Sequence, residues 1–465
     1  STSGTNTNPS VQQKHLLPNP QTKPYTMLAT RSQTLRSVLT RSSAASRTYA
    51  TSVNVTDSAG VKVAGIDVGQ PTTSISVVVK AGSRYETLPG VAHALKNFAF
   101  KATSNASALR IVREAELYGG TLSAGLSREH LYLNAEFLRG DQDHFVKLLA
   151  SVLSASKYHP HEFAELVMPT LQSETLNAVG TPSVLAFDLA HQVAFRRGLG
   201  NSLFASPHSP LSAQDVKDYA AKAFAKSNIA VFGTGISTEE LSASVAKAFG
   251  GASSSSSTGS SLSSSGSKYY GGEQRVPLDL HSGGQPTMLI AFGTTESSAD
   301  LNVITELVGG QSALKWVPGT TPLALAASKV PGSKIESFNL SYSDASLVGV
   351  QITAPTSQGV KELAHEVVNA YKSLTSGSKV DKEQLDKAVA AAKFKAANGL
   401  ENKEGLLAAF GPVVLNGSKD VKGADFSGVS AETLSKAAEN LFKSKPSVVA
   451  VGDLAVLPWA DELGL

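Results

Sequence analysis

Short apolar runs of strand length punctuate the chain, and between them apolar residues recur at helical spacing. Ile75-Ser76-Val77-Val78-Val79, Leu131-Tyr132-Leu133 and Ile229-Ala230-Val231-Phe232 read as strands. So do Met288-Leu289-Ile290-Ala291-Phe292, Leu347-Val348-Gly349-Val350 and Val448-Val449-Ala450-Val451. Phe145, Leu148, Leu149 and Leu153 share one face of a helix, and Val360, Leu363, Val367 and Val368 share one face of another. Val184, Leu185, Phe187, Leu189 and Val193 mark a further helix.

The pattern occurs twice. Gly69-Gln70-Pro71-Thr72 leads into the strand at Ile75, and Gly284-Gln285-Pro286-Thr287 leads into the strand at Met288, an offset of 215. Thr121-Leu122-Ser123-Ala124 passes through Ser127-Arg128 to Leu131. Ser337-Phe338-Asn339-Leu340-Ser341 passes through Ser343-Asp344 to Leu347. Matching Ser127 to Ser343 gives an offset of 216. An offset held across strand, turn and helix argues for two homologous tandem domains. Each half reads strand, helix, strand pair, several helices, strand. The expected class is α+β, each domain a mainly antiparallel sheet with helices packed on one face.

Between the halves Ala252–Lys268 reads ASSSSSTGSSLSSSGSK. Such composition cannot bury enough apolar surface to offset its ordering entropy, so residues 251–268 are expected to be a flexible linker. The domains are then 50–250 and 269–465. No run approaches ~20 apolar residues, so no membrane-spanning helix is expected. The chain has no Cys, hence no disulfide and no thiolate ligand or nucleophile.

Residues 1–49 differ from the rest. Met27–Tyr49 carries Arg31, Arg36, Arg41 and Arg47, many Ser, Thr and Ala, and no acid. This is the composition of a mitochondrial transit peptide, with Leu28, Leu35 and Leu39 on one helical face and a cleavage site after Tyr49. Residues before Met27 read as an unstructured extension. Residues 1–49 hold six of the 41 basic residues and none of the 38 acids, so the net charge of +3 becomes about −3 without them. No basic stripe remains, which excludes nucleic-acid binding.

The chemistry centres on Gly90-Val91-Ala92-His93-Ala94-Leu95-Lys96-Asn97, followed by Phe98, Phe100, Lys101 and Thr103. Positions 93 and 97 share one helix face. In an inverted zinc motif, His-x-x-Glu-His, two such histidines bind Zn²⁺ and the intervening Glu takes a proton from the metal-bound water. Here the first His is His93, the base position is Lys96 and the second ligand position is Asn97. An ammonium neither accepts a proton nor tolerates a nearby cation, and a carboxamide is a poor zinc ligand.

With its frame of Gly90, Ala92, Phe98, Phe100, Lys101 and Thr103, the stretch resembles the pitrilysin/insulinase-type metallopeptidase family. That family includes the mitochondrial processing peptidase and the two core proteins of the respiratory cytochrome bc1 complex. The resemblance implies tandem domains of one fold. It also implies a third ligand, a Glu on a helix roughly eighty residues downstream. The matching helix is about His161–Thr175, and the family pattern puts Leu171 at the ligand position, with Glu174 one turn away. All catalytic functions except His93 then look lost, so no metal and no catalysis are expected.

The finer match is to the core-protein branch. It rests on Ser267–Glu273, Phe338–Asp344, Val451-Gly452-Asp453-Leu454, Asp461-Glu462-Leu463 and Arg196–Phe204. It implies a peripheral scaffold on the matrix side of the mitochondrial inner membrane. Such a scaffold pairs with the other core protein and supports cytochrome b, cytochrome c1 and the iron–sulfur subunit in a dimeric complex. The haems and the iron–sulfur cluster belong to those partners, and this chain offers no Cys to ligate a cluster. Two readings stand beside it: a subunit of a presequence-processing peptidase, and a free matrix protein that uses the cavity between its domains. Gly309-Gly310 stands where the processing peptidase's substrate-binding subunit carries a long glycine-rich loop, which counts against that subunit.

Other candidates read as structure. His159-Pro160-His161 is a helix start. Asp188 and His191 are a helix-surface pair without a nucleophile elbow. Gly233-Thr234-Gly235 is a turn, and Gly309-Gly310 is a helix C-cap.

Overall fold

Residue by residue, the strands show why their apolar runs are continuous. In the computed structural model, Thr72–Val79 turns Ile75, Val77 and Val79 to one hydrophobic core and Val78 to another. Ser447–Gly452 likewise sends Val448 and Ala450 one way and Val449 and Val451 the other. Strands buried on both faces lose the alternation of a half-exposed sheet. The structure describes residues 53–250, 262–277, 284–295, 298–310, 319–375, 381–419 and 425–465. The transit-peptide expectation for Met27–Tyr49 and the start of the serine-rich linker lie outside the described residues.

The first half places β1 (Thr56–Ser58), β2 (Val61–Ile66), β3 (Thr72–Val79), β4 (Thr121–Leu126), β5 (Leu131–Leu138) and β6 (Ile229–Thr234) in the order β1-β2-β6-β3-β5-β4. The second places β7 (Gly272–Pro277), β8 (Thr287–Thr294), β9 (Lys334–Ser341), β10 (Ser346–Thr353) and β11 (Ser447–Gly452) in the order β7-β11-β8-β10-β9. Apart from β1, the two orders are the same, with one parallel pair in each sheet, β2 with β6 and β7 with β11.

Register carries the repeat to single residues. Thr72 pairs with Leu138, and Thr287 pairs with Thr353. The turn Ser127–His130 closes with Ser127 N–H donating to His130 O at 2.8 Å, and Tyr342 N–H donates to Ala345 O at 2.8 Å. The offset is therefore 215 in the turns as well. Ser127 matches Tyr342 rather than Ser343, and the offset of 216 expected from the serines is corrected. Identical residue types at the turn misled the alignment, whereas the closing hydrogen bond fixes it.

Helices cover one face of each sheet. In the first half these include α1 (Val91–Phe98), α2 (Ala108–Leu117), α3 (Gln142–Ala155) and α4 (Met168–Gly180). The α4 helix is continuous with Pro160–Glu162 through a π turn, Phe163–Val167. The other face of each sheet takes one helix from the opposite half. α5 (Pro182–Phe195) lays Ala186, Leu189, Ala190 and Ala194 against Leu289, Ala291, Val449 and Val451. The helix Lys403–Leu415 returns the exchange, setting Phe410 and Val414 against Ala64, Val78, Ala230 and Phe232 of the first sheet. Helices therefore lie on both sheet faces, and one layer of each half belongs to the other in sequence.

The described end of the serine-rich stretch is packed and bonded. Leu262 is buried in the first core, Ser264 Oγ accepts from Arg84, and Ser267 donates to Asp344.

Candidate functional site

α1 starts at a left-handed glycine. Gly90 has φ 85°, and a Cβ there would lie 2.5 Å from Ala205 Cβ. Only glycine takes that angle without strain and lets the Ala205 backbone come so close. A Glu86 carboxyl oxygen accepts the Gly90 N–H at 3.0 Å and so supplies an acceptor at the buried helix N-terminus. Burial pushes the Glu86 carboxyl up to about 8 against the pull of the Gly90 and Ala92 backbone donors.

The helix buries Val91, Ala92, His93, Ala94, Leu95 and Phe98 and leaves Lys96 and Asn97 half-buried. His93 Nδ1 accepts the Ala205 N–H at 3.0 Å. Its neutral form therefore carries the proton on Nε2, which donates to Glu174 Oε2 at 2.5 Å. The Phe204 ring packs edge-on at 5.7 Å. Burial holds the imidazole below its ordinary pKa, so this contact is a hydrogen bond from a neutral ring at pH 7. Lys96 Nζ lies 2.8 Å from each oxygen of Glu174. Asn97 Nδ2 donates to Glu174 Oε2 at 3.0 Å and to His93 O at 3.3 Å. Burial raises the Glu174 carboxyl, but donors from Lys96, Asn97 and His93 outweigh it and hold it at about 2.

The expected position of the third ligand is corrected here. Leu171 is 3% exposed and belongs to the first core. It forms the inward stripe of α4 with Thr175 and Ala178, and Glu174 stands at the edge of that stripe, facing α1. Leu171 and Glu174 lie three residues apart on α4, and the bonds from His93, Lys96 and Asn97 show that Glu174 is the one facing α1. Glu174 was visible in the sequence at a spacing equally compatible with eighty residues.

These residues do not fit zinc. His93 and Glu174 supply two ligands where a catalytic zinc needs three, and the ammonium of Lys96 occupies the one carboxylate. Among the described residues, no group of three His, Cys, Asp or Glu is placed to hold a metal ion. Lys96 cannot deprotonate water. What the arrangement does instead is join α1 to α4 through one carboxylate that receives three donors.

The remaining candidates are bonded elsewhere. Asp188 accepts from Arg128, Ser202, Gln192 and the Leu203 N–H, not from His191. His191 Nδ1 donates to Phe187 O, and its Nε2 accepts from the Tyr342 hydroxyl at 2.7 Å. His159 and His161 stack at 5.0 Å beside Pro160. Sequence reasoning missed a cluster of buried Arg84 and Glu129 with half-buried Asp344. The equal place of Glu129 and Asp344 in the two repeats was its one available signal.

Comparison with known proteins agrees with this geometry. Residues 62–206 match the family described as insulinase (peptidase family M16), and residues 210–392 match its M16 inactive domain. The chain is similar to the mitochondrial cytochrome b-c1 complex subunit 2 of Cryptococcus neoformans, at 53% identity over 89% of this chain and 94% of that one. It is 41% identical to the subunit 2 of Neurospora crassa over 91% of this chain and 93% of that one. With the rat subunit 2 it shares 28% over 87% and 90%. The repeated sheets and these relatives together place the chain in the insulinase-type M16 peptidase family, as a non-catalytic member.

Proposed function

We propose that this chain is a non-catalytic structural core subunit of mitochondrial respiratory complex III, the ubiquinol–cytochrome c reductase, in the position of subunit 2 (core protein 2). Its role is assembly and stability of the complex, and through that electron transport from ubiquinol to cytochrome c. The observation that carries this reading is the Lys96 ammonium seated on Glu174, which turns a metal site into an internal ion pair. The near full-length similarity to subunit 2 proteins supports it.

On this reading the chain pairs with core protein 1 on the matrix side, peripheral to the inner membrane, and supports cytochrome b, cytochrome c1 and the iron–sulfur subunit in a dimeric complex. It binds no cofactor of its own, and the haems and iron–sulfur cluster sit in those partners. Among the described residues no helix is long and apolar enough to cross a membrane, which suits a peripheral subunit. Residues 27–49 are the transit peptide, and 50–250 and 269–465 the two peptidase-like domains.

The test is native purification from mitochondrial membranes in mild detergent, with spectra and metal analysis on one band. Co-migration with b- and c1-type haem, and no zinc in the isolated chain, is expected. A soluble heterodimer that cleaves presequences would instead make this a processing-peptidase subunit and sink the proposal.

A further inference from the structure

The two homologous turns meet at one guanidinium. Glu129 lies in the turn between β4 and β5, and Asp344 lies in the turn between β9 and β10, 215 residues on. Arg84 comes from a 3-10 turn of the first half, Ser83–Tyr85. Its Nη1 donates to Glu129 Oε1 at 2.8 Å and to Asp344 Oδ1 at 2.7 Å, and Nη2 donates to Asp344 Oδ2 at 2.7 Å. The Asp344 contact is the bidentate fork that a guanidinium makes and an ammonium cannot.

The second positive charge that two carboxylates would call for is replaced by neutral donors. Ser343 gives Glu129 its N–H at 3.0 Å and its hydroxyl at 2.5 Å. Ser267 gives Asp344 its N–H at 2.8 Å and its hydroxyl at 2.9 Å. Arg84 Nε donates to Ser264 Oγ at 2.7 Å. The side chains of Arg84 and Glu129 are 4% and 8% exposed, and that of Asp344 is 33% exposed. Removing one member of a buried charge cluster is costly because the others are left unpaired.

We propose that this cluster is a clasp that makes the two halves move as one body, with Arg84 between the two equivalent turns and the end of the serine-rich stretch tied in as a third element. It differs in place from the exchange of helices between the halves, which packs apolar cores on the sheet faces and adds polar contacts such as His191 with Tyr342 and Gln351 with Ser183. A forked ion pair with converging donors adds a directional constraint to the close packing of the exchanged helices. The clasp belongs to the chain itself and does not depend on which complex it joins.

The amide protons of Ser343 and Ser267 report on the clasp directly, because each is donated to one of its carboxylates. Hydrogen exchange and small-angle scattering on the full chain would compare the native protein with Arg84→Met. Exchange at these two amides should rise about a hundredfold, and the radius of gyration should grow. Unchanged exchange and an unchanged radius in the folded variant would overturn the proposal and assign the fixed arrangement to the exchanged helices alone. If Arg84→Met does not fold, Asp344→Asn keeps the Arg84–Glu129 pair and should still raise Ser267 exchange about tenfold. No rise there overturns the clasp equally.

Discussion

Lys96 Nζ stands 2.8 Å from both oxygens of Glu174, the carboxylate that α4 presents to His93 and Asn97. Because the carboxylate is already in place, rebuilding a zinc site needs changes on α1 only. The double variant Lys96→Glu, Asn97→His should bind about one zinc per chain, with His93, position 97 and Glu174 as the three ligands. Asn97→His alone, with the ammonium still on Glu174, should bind none. Elemental analysis and the visible spectrum of the Co²⁺ form read this out. A folded double variant that takes up no metal would show that the two helices do not present a ligand set.

Glu86 gives the stability a pH dependence of its own. Its folded pKa is about 8 against an ordinary value of 4.5, so the folded state holds a proton the unfolded state has released. Its stabilising share is fully present below pH 4.5 and is lost as pH rises towards 8. The charge it faces is Asp188, itself paired with Arg128. Glu86→Gln keeps an acceptor for Gly90 and cannot ionise. Its denaturation midpoint should exceed that of the native chain at pH 8 and match it near pH 4.5. A native-like decline between those values in the variant would assign the pH dependence elsewhere.

Gly90→Ala tests the entry to α1. The substituted Cβ would meet Ala205 Cβ at 2.5 Å, at φ 85°. We expect a loss of about 1–3 kcal/mol, measured by urea denaturation. Gly69, at φ 73°, has no atom within 4 Å of the place a Cβ would take, so Gly69→Ala should cost only about 1 kcal/mol. Equal losses would mean that backbone strain alone, and not the approach of Ala205, requires glycine at 90.

Phe410 is fully buried and stacks on Phe232 at 6.0 Å, across the two halves. Phe410→Ala should cost about 3–5 kcal/mol. Because its cavity opens on the first sheet, hydrogen exchange should loosen in β3 and β6 before β8 and β11. Loosening confined to the second sheet would contradict the exchange of helices.

The sequence alone determined the central strands β3, β5, β6, β8, β10 and β11, the existence of a repeat, and the placing of His93, Lys96 and Asn97 on one helix face, but not β1, β2 or β7. Each rests on residues near one another in the chain: period-2 and period-3.6 patterns, and a motif five residues long. The replacement of the general base by Lys96 was legible for the same reason. Tertiary structure decided the rest. Leu171 and Glu174 differ by about one turn of a helix, and only the burial of Leu171 and the reach of His93 and Lys96 show which of them faces α1. Arg84, Glu129 and Asp344 lie in three separate turns, each an ordinary polar residue in its own surroundings. Which helix covers which sheet depends on how two halves pack, and a helix apolar on its inward side carries no mark of whose sheet it will cover. Local pattern fixes elements because backbone geometry is periodic. Partners across the fold are fixed by register and packing, which no local window contains.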